Sequence, residues 1–85
     1  MFVDRDIHIP APGTPYLHYK GGSYVVLTVG RLSEQRDQLC VVYRSNDTHQ
    51  VWIRPLGMWS EKVVWPDGIL RPRFDLAGLQ NKAAE

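Results

Sequence analysis

Short runs of β-branched and aromatic residues, separated by glycine, proline and asparagine, dominate this sequence. The clearest run covers residues 24–29, between Gly22 and Gly30, and a second covers residues 39–44. Side chains of these types favour extended strands, and glycine accepts the positive φ values that tight turns need. Nothing before the C-terminal tail combines the length of a helix with its apolar period. The pattern of about five or six short strands predicts an all-β fold, either a barrel or a small sandwich. A small SH3-like, partly open barrel suits this length and these hairpins.

Further strands are expected around these two runs, at residues 16–20, 51–54, 59–65 and around Pro72. Residues 31–38 are polar and are expected to form a long, mobile loop. Residues 45–50 have the asparagine and aspartate chemistry of a turn. Pro55 cannot donate a hydrogen bond to a neighbouring strand, so the sheet should end there. A short helical turn is expected to follow, with Leu56 and Met58 closing one end of the barrel.

The 85 residues are enough for one domain with a small core. We expect an extended arm over residues 1–15, the β-barrel domain over residues 16–74, and a frayed or short-helical tail over residues 75–85. Three prolines in the arm, Pro10, Pro12 and Pro15, favour an extended, non-helical chain, with at most a short edge strand around residues 7–9.

Charge and composition argue against several classes of function. The formal net charge of +1 gives no general signal for nucleic-acid or membrane surfaces. Cys40 is the only cysteine, which excludes an intramolecular disulfide and a cysteine-based zinc site. The three histidines lack the spacing of metal ligands, so neither a metal nor a cofactor is expected. A charged N-terminus and the absence of a long apolar run predict a cytoplasmic protein without a membrane partner.

The segment 39–54 is predicted to form a hairpin. If its turn closes symmetrically, Tyr43 lies opposite Trp52 and Val41 lies opposite Arg54, and paired residues share a face of the sheet. We expect this face to be an aromatic and basic surface. The opposite face is expected to be the core, with Arg44 at its rim, and consists of Cys40, Val42, Val51 and Ile53.

The aromatic and basic surface is a candidate ligand site. Flat rings stack on tyrosine and tryptophan, and arginine pairs with anions. His18 and Lys20 alternate along the first strand, so they are expected to share a face and to add donors. The alternative is structural: Tyr43 and Trp52 cap the barrel, and Arg54 pairs with a carboxylate.

A catalytic site is harder to assemble from these residues. Cys40 lies in an apolar run and is best interpreted as a small buried hydrophobic residue. The carboxylates lie mostly in loops or in the arm and form no evident acid–base pair. A small hydrolase or transferase that uses Cys40 and His18 is therefore only a third alternative, after two binding functions.

Four blocks of the sequence, residues 16–26, 41–44, 51–59 and 73–74, together resemble the domain-of-unknown-function family DUF1653 of small microbial and phage domains. The resemblance implies a compact, mostly β, SH3-like domain without an established activity. The positions that match its motif are His18, Tyr19, Lys20, Gly21, Tyr43, Arg44, Trp52, Arg54, Pro55 and Met58. The chain departs from the family in a shortened loop at residues 45–50 and in Trp59, where phenylalanine is frequent.

The leading hypothesis is a non-enzymatic binding module for a nucleotide or a nucleic-acid strand. Its predicted site residues are Tyr43, Trp52, Arg54, His18, Lys20 and Arg44. If the chain is encoded by a phage, such a site would sequester a signalling nucleotide. The alternative is a protein-interaction or assembly domain of the SH3-like type, in which the N-terminal arm forms a homo-oligomer by docking on a neighbouring copy.

Overall fold

The computed structural model describes residues 9–77. Seven strands and one short helix lie within this range. In chain order they are β1 (Pro15–His18), β2 (Ser23–Leu32), β3 (Gln35–Ser45), β4 (Val51–Pro55), α1 (Leu56–Trp59), β5 (Lys62–Val64), β6 (Leu70–Pro72) and β7 (Phe74–Leu76). Five strands form an antiparallel sheet in the order β4-β3-β2-β1-β7, and β5 pairs with β6 in a two-stranded ribbon. The predicted all-β fold class is confirmed.

The five-stranded sheet is strongly curled. Neighbouring strands lie about 4.8 Å apart, so β3 and β7 would be separated by about 14 Å in a flat sheet. The ring centroids of Tyr43 on β3 and Phe74 on β7 are only 5.1 Å apart. Arg54, on the edge strand β4, places its guanidinium carbon 5.7 Å from the centre of the same Phe74 ring. Side chains from the two edges therefore meet, as they should in a partly open barrel.

Aromatic rings fill the concave side of this sheet. Trp59 and Phe74 stack in parallel, with centroids 3.9 Å apart and planes 2° apart. Tyr16 and Tyr43 meet the Trp59 ring edge-on, at 5.1 Å and 4.8 Å. Such pairs stabilise a core beyond the effect of their buried area. The remaining buried members of the cluster are the aliphatic residues Val26, Val41 and Leu56.

The β3–β4 pairing has the predicted register, but the predicted core face is wrong. Tyr43 pairs with Trp52 and Val41 with Arg54. Val41 and Tyr43 are buried, whereas Val51 and Ile53 are exposed, Ile53 by 69%. Both faces of this hairpin carry apolar residues, so alternation alone could not identify the inner one. Cys40 is nevertheless buried, as predicted, and its thiol is free.

The expected loop over residues 31–38 is instead the tip of a long hairpin. Strand β2 continues to Leu32 and β3 begins at Gln35. The side chains here are exposed because the tip extends beyond the core. Backbone pairing holds the segment in place, and polar side chains on both faces give no alternating apolar signal.

The segment after β4 also differs in part from expectation. The predicted helical turn is present as α1, but it includes Trp59, and the following strand begins only at Lys62. Leu56 is buried as expected, whereas Met58 is 47% exposed and does not close the barrel. Trp59 takes that position. The segment around Pro72 is divided between two sheets, with β6 ending at Pro72 and β7 starting at Phe74.

The residues just before β1 pack against the sheet. Pro10 is fully buried. The backbone N–H of Gly13 donates to the Val26 carbonyl, and the N–H of Val26 donates to the Thr14 carbonyl. Ile9 forms no strand, and residues 7 and 8 of the expected edge strand lie outside the described residues. At the other end, residues 75 and 76 of the expected tail belong to β7. The rest of the tail, residues 78–85, lies outside the described residues.

Candidate functional site

A cavity of about 210 Å³ opens at one end of the concave side of the sheet. We call it the aromatic–arginine cavity, and it is lined by His18, Tyr24, Tyr43, Trp52, Arg54 and Phe74. Every strand of the five-stranded sheet contributes at least one of these side chains. The cavity is thus an extension of the aromatic core towards solvent.

Cross-strand pairing brings these residues together. His18 on β1 is the partner of Phe74 on β7, and Tyr43 on β3 is the partner of Trp52 on β4. Paired residues point to the same side of a sheet, so each pair contributes two neighbouring rings to one wall. Arg54 lies two residues after Trp52 and therefore on the same face.

Arg54 is positioned by neutral partners. Its Nε donates to the Tyr43 hydroxyl at 3.2 Å, and its guanidinium lies near the Phe74 ring. Among residues 9–77, no carboxylate lies within ion-pairing distance of Arg54; the two ion pairs found there join Arg71 to Asp67 and Arg73 to Glu61. The guanidinium therefore retains donors for an anion.

His18 is held in one orientation between rings. Its imidazole lies 4.7 Å from the Phe74 ring and 4.9 Å from the Tyr19 ring. Its Nδ1 accepts a hydrogen bond from the backbone N–H of Lys20 at 3.1 Å. A backbone N–H can only donate, so the neutral imidazole carries its proton on Nε2. His18 thus offers one donor, Nε2–H.

The environment lowers the pKa of His18 below its ordinary value of 6.5. Partial burial is the main cause, followed by the positive charges of Arg54, Arg73 and Lys20. Both effects disfavour the imidazolium. Three cations that act on one site indicate a positive potential, which would favour a bound anion.

The predicted site residues differ in their exposure. Tyr43 is only 3% exposed and belongs to the core, while Trp52 is 52% exposed. Arg54 is intermediate between them. Tyr43 thus has the packed position that the structural alternative expected, whereas Trp52 lies at the mouth of the cavity with half of its surface available for stacking.

Lys20 and Arg44 lie outside the cavity. Strand β1 ends at His18, and a turn closed by the hydrogen bond from the Gly21 N–H to the His18 carbonyl takes Lys20 off the sheet. The expected shared face of His18 and Lys20 is therefore absent. Arg44 lies between Val25 and Val51 in the sheet, and alternation places it on the convex side, opposite Tyr43.

A second hollow lies next to the cavity and also includes His18 in its lining. This turn groove has a volume of about 600 Å³ and runs between the turn at residues 19–22 and residues 64–66. Its walls are mostly apolar, with Lys20 as the charged member. His18 lines both the cavity and the groove.

Two members of the cavity, Tyr24 and Phe74, were not predicted as site residues. Tyr24 meets Phe74 edge-on at 5.5 Å and Tyr43 at 5.6 Å. A signal for Tyr24 existed, because it lies two residues before the buried Val26 on a strand that was predicted. Phe74 gave no such signal, since its neighbours in the cavity come from strands distant in the sequence.

The structure offers no metal cluster in the described part of the chain. Within residues 9–77, no three side chains of histidine, cysteine, aspartate or glutamate come together as a group that could hold an ion. No helix in the same range is long and apolar enough to cross a membrane. Alternation places Cys40 on the opposite face of β3 from Tyr43, which separates this thiol from the side of the sheet that carries His18.

Fold and site together define a small all-β domain with an aromatic cavity that contains an arginine without a carboxylate partner in the described residues. Comparison with known proteins then identifies the family. The family model described as "Protein of unknown function (DUF1653)" matches residues 14–76, and the chain belongs to this family. The resemblance inferred from the sequence blocks is confirmed.

A solved structure supports the assignment. The chain is similar to a crystal structure of a DUF1653 protein from Bordetella bronchiseptica, with 31% sequence identity and a TM-score of 0.67. The match covers 84% of this chain and 91% of that one. The search of curated proteins finds no match.

Proposed function

We propose that this domain is a non-enzymatic binding module whose aromatic–arginine cavity takes a nucleotide-like ligand, free or within a nucleic-acid strand. The observation that carries the proposal is the combination of Arg54, which has no carboxylate partner in the described residues, with the half-exposed ring of Trp52 in one cavity. A flat, anionic ligand uses both features at once.

The expected binding mode follows from the donors and rings present. A base stacks on Trp52, which should contribute about 1–3 kcal/mol. A phosphate accepts hydrogen bonds from the Arg54 guanidinium and from His18 Nε2–H, and bonds of this charge-assisted kind are the stronger ones. The hydrogen bond to Tyr43 fixes Arg54 before the ligand arrives, which reduces the entropy lost on binding.

A screen of mononucleotides, cyclic oligonucleotides and short single strands tests the proposal by thermal shift and calorimetry. We expect Trp52→Ala to weaken binding by roughly 5- to 150-fold, the equivalent of one lost stacking contact. Ile53→Ala is the matched control, because Ile53 is exposed on the same strand but on the opposite face. Failure of every nucleotide to bind, or equal losses in both variants, would contradict the proposal.

The same site suggests a role in the cell. We place the binding in the cytoplasm, where nucleotides are free, and a phage-encoded chain would use it to sequester a signalling nucleotide. The protein should then protect its nucleotide from degradation in an infected-cell lysate. Equal nucleotide decay with the wild type and with Arg54→Met would exclude this role.

The second candidate function is protein interaction or assembly. It is favoured by β4, an edge strand whose outer face exposes Val51 and Ile53. Exposed apolar edges readily pair with another chain. Light scattering after size exclusion should show a mass that Ile53→Lys reduces to that of the monomer. A chain that starts at Ile9 tests the arm, because this truncation keeps the buried Pro10.

A further inference from the structure

His18 is a wall shared by two hollows in the surface. Its side chain lines both the aromatic–arginine cavity and the turn groove. The cavity and the groove are therefore adjacent at His18.

The sizes of the two hollows fit a ligand that occupies both of them. Pockets for small molecules usually have volumes of about 300–1,000 Å³. The cavity alone, at about 210 Å³, is smaller than this range, whereas the groove reaches about 600 Å³. The cavity can hold a ring and its charged neighbour, but the rest of a larger ligand must extend outwards.

The distribution of charge favours an anion near the junction. Arg54 lies on the cavity side of His18 and Lys20 on the groove side. Arg73 adds a third positive charge, although it is paired with Glu61 at 2.9 Å. His18 Nδ1 is already occupied by the Lys20 N–H, which leaves Nε2–H as a donor for the anion.

The far wall of the groove differs in character. Val64 is 62% exposed there and is followed by Trp65, a buried ring, and Pro66. Opposite them, Gly21 and Gly22 present no side chains. An apolar slot of this kind suits a ring and the edge of a sugar better than a second charged group.

We propose that the site takes a dinucleotide unit, with one base on Trp52, the phosphodiester beside His18 and the second nucleoside in the turn groove. This inference rests on the proposed nucleotide binding and names its ligand class. It assigns a function to Lys20 and Val64, neither of which lines the cavity.

Calorimetry with matched probes tests the inference. The probes are the four nucleoside monophosphates and the four 5′-phosphorylated homodinucleotides. A second nucleoside in the turn groove should make the better dinucleotides bind at least about tenfold more tightly than their monomers. Val64→Glu should reduce this ratio to near one by placing a negative charge in the groove. Leu32→Glu is the control, because Leu32 is an exposed aliphatic residue at the β2–β3 hairpin tip and lines neither hollow.

The outcomes separate the two proposals. If monophosphates bind but dinucleotides gain nothing, the inference is wrong and the proposed function stands. The same conclusion follows if Val64→Glu and Leu32→Glu leave the ratio equally high. If none of the eight probes binds, the inference is wrong, and the wider screen with cyclic oligonucleotides and short single strands decides the proposed function.

Discussion

At the scale of single residues, the charge of Arg54 adds to the effect of burial in lowering the pKa of His18. Burial is the largest cause of the lowered pKa of His18. Among the three positive charges that lower it further, Arg54 has the largest effect. Replacing Arg54 by leucine should therefore raise the pKa of His18 towards its ordinary value. A titration of the imidazole resonances by NMR measures this directly.

Arg31→Leu is the matched control for that titration. It removes an equal positive charge from the hairpin tip, where the Arg31 guanidinium donates a hydrogen bond to the Arg36 carbonyl. We expect the pKa of His18 to be unchanged in this variant. A pKa of His18 that moves equally in both variants, or falls when Arg54 is removed, would show that the Arg54 charge does not act on the imidazole.

The lowered pKa of His18 also makes stability depend on pH. Because the folded protein disfavours the imidazolium, His18 contributes stability above its unfolded pKa, near 6.5, and loses it as the pH falls towards the lower folded pKa. The wild type should thus lose more stability than His18→Asn between about pH 7 and about pH 5. Urea unfolding at each pH gives the comparison, and identical losses would contradict the expectation.

At the scale of elements, the β1–β2 turn depends on backbone conformation. Gly21 has φ of +106°, and a methyl group added there would have no atom within 4 Å, so only strain opposes a side chain. Gly21→Ala should cost about 1–3 kcal/mol. Gly30→Ala should instead stabilise by about 0.5–1 kcal/mol, since Gly30 also has open space but lies in a strand without positive φ. Chemical unfolding of both variants tests this, and effects of the same sign would contradict it.

The strands and turns that could be predicted from the sequence are those with strong local signals. Residues 24–29 are bounded by glycines and rich in β-branched residues, and they lie within β2. The register of β3 with β4 followed from a symmetric turn at residues 45–50. The tip at residues 31–38 had no such signal, because paired backbone atoms, and not side chains, hold it in place.

At the scale of the whole molecule, the extent to which the sheet curls could not be predicted from local patterns. The curl decides which face is concave, and so it buries Val41 and Tyr43 and leaves Val51 and Ile53 exposed. It also brings Phe74 against Arg54 from the opposite edge of the sheet, which forms the cavity. Tyr43, Trp52 and Arg54 could be predicted as neighbours because β3 pairs with β4. His18 joins them through the curl of the sheet, since β1 pairs only with β2 and β7 among the described strands.

We expect closure of the barrel to depend on the stack between Trp59 and Phe74. Trp59 ends α1, which directly follows β4, one edge strand of the sheet, and Phe74 lies on β7, the other edge strand. Trp59 is 2% exposed, so Trp59→Ala should cost about 3–5 kcal/mol. That is a large share of the roughly 5–15 kcal/mol that usually stabilises a domain. Trp52→Ala removes the same side chain from an exposed position and should cost less than about 1 kcal/mol.

Urea unfolding followed by circular dichroism distinguishes these costs without relying on tryptophan fluorescence. Trp59→Phe keeps a ring against Phe74 and should fall between the wild type and Trp59→Ala, which provides a measurable variant even if the alanine variant does not fold. A Trp59→Ala variant that is destabilised no more than Trp52→Ala would mean that the stack does not close the sheet. A clearly larger loss of stability in Trp59→Ala would show that side chains join the two edges of the sheet. The edge strands β4 and β7 are not paired through their backbones.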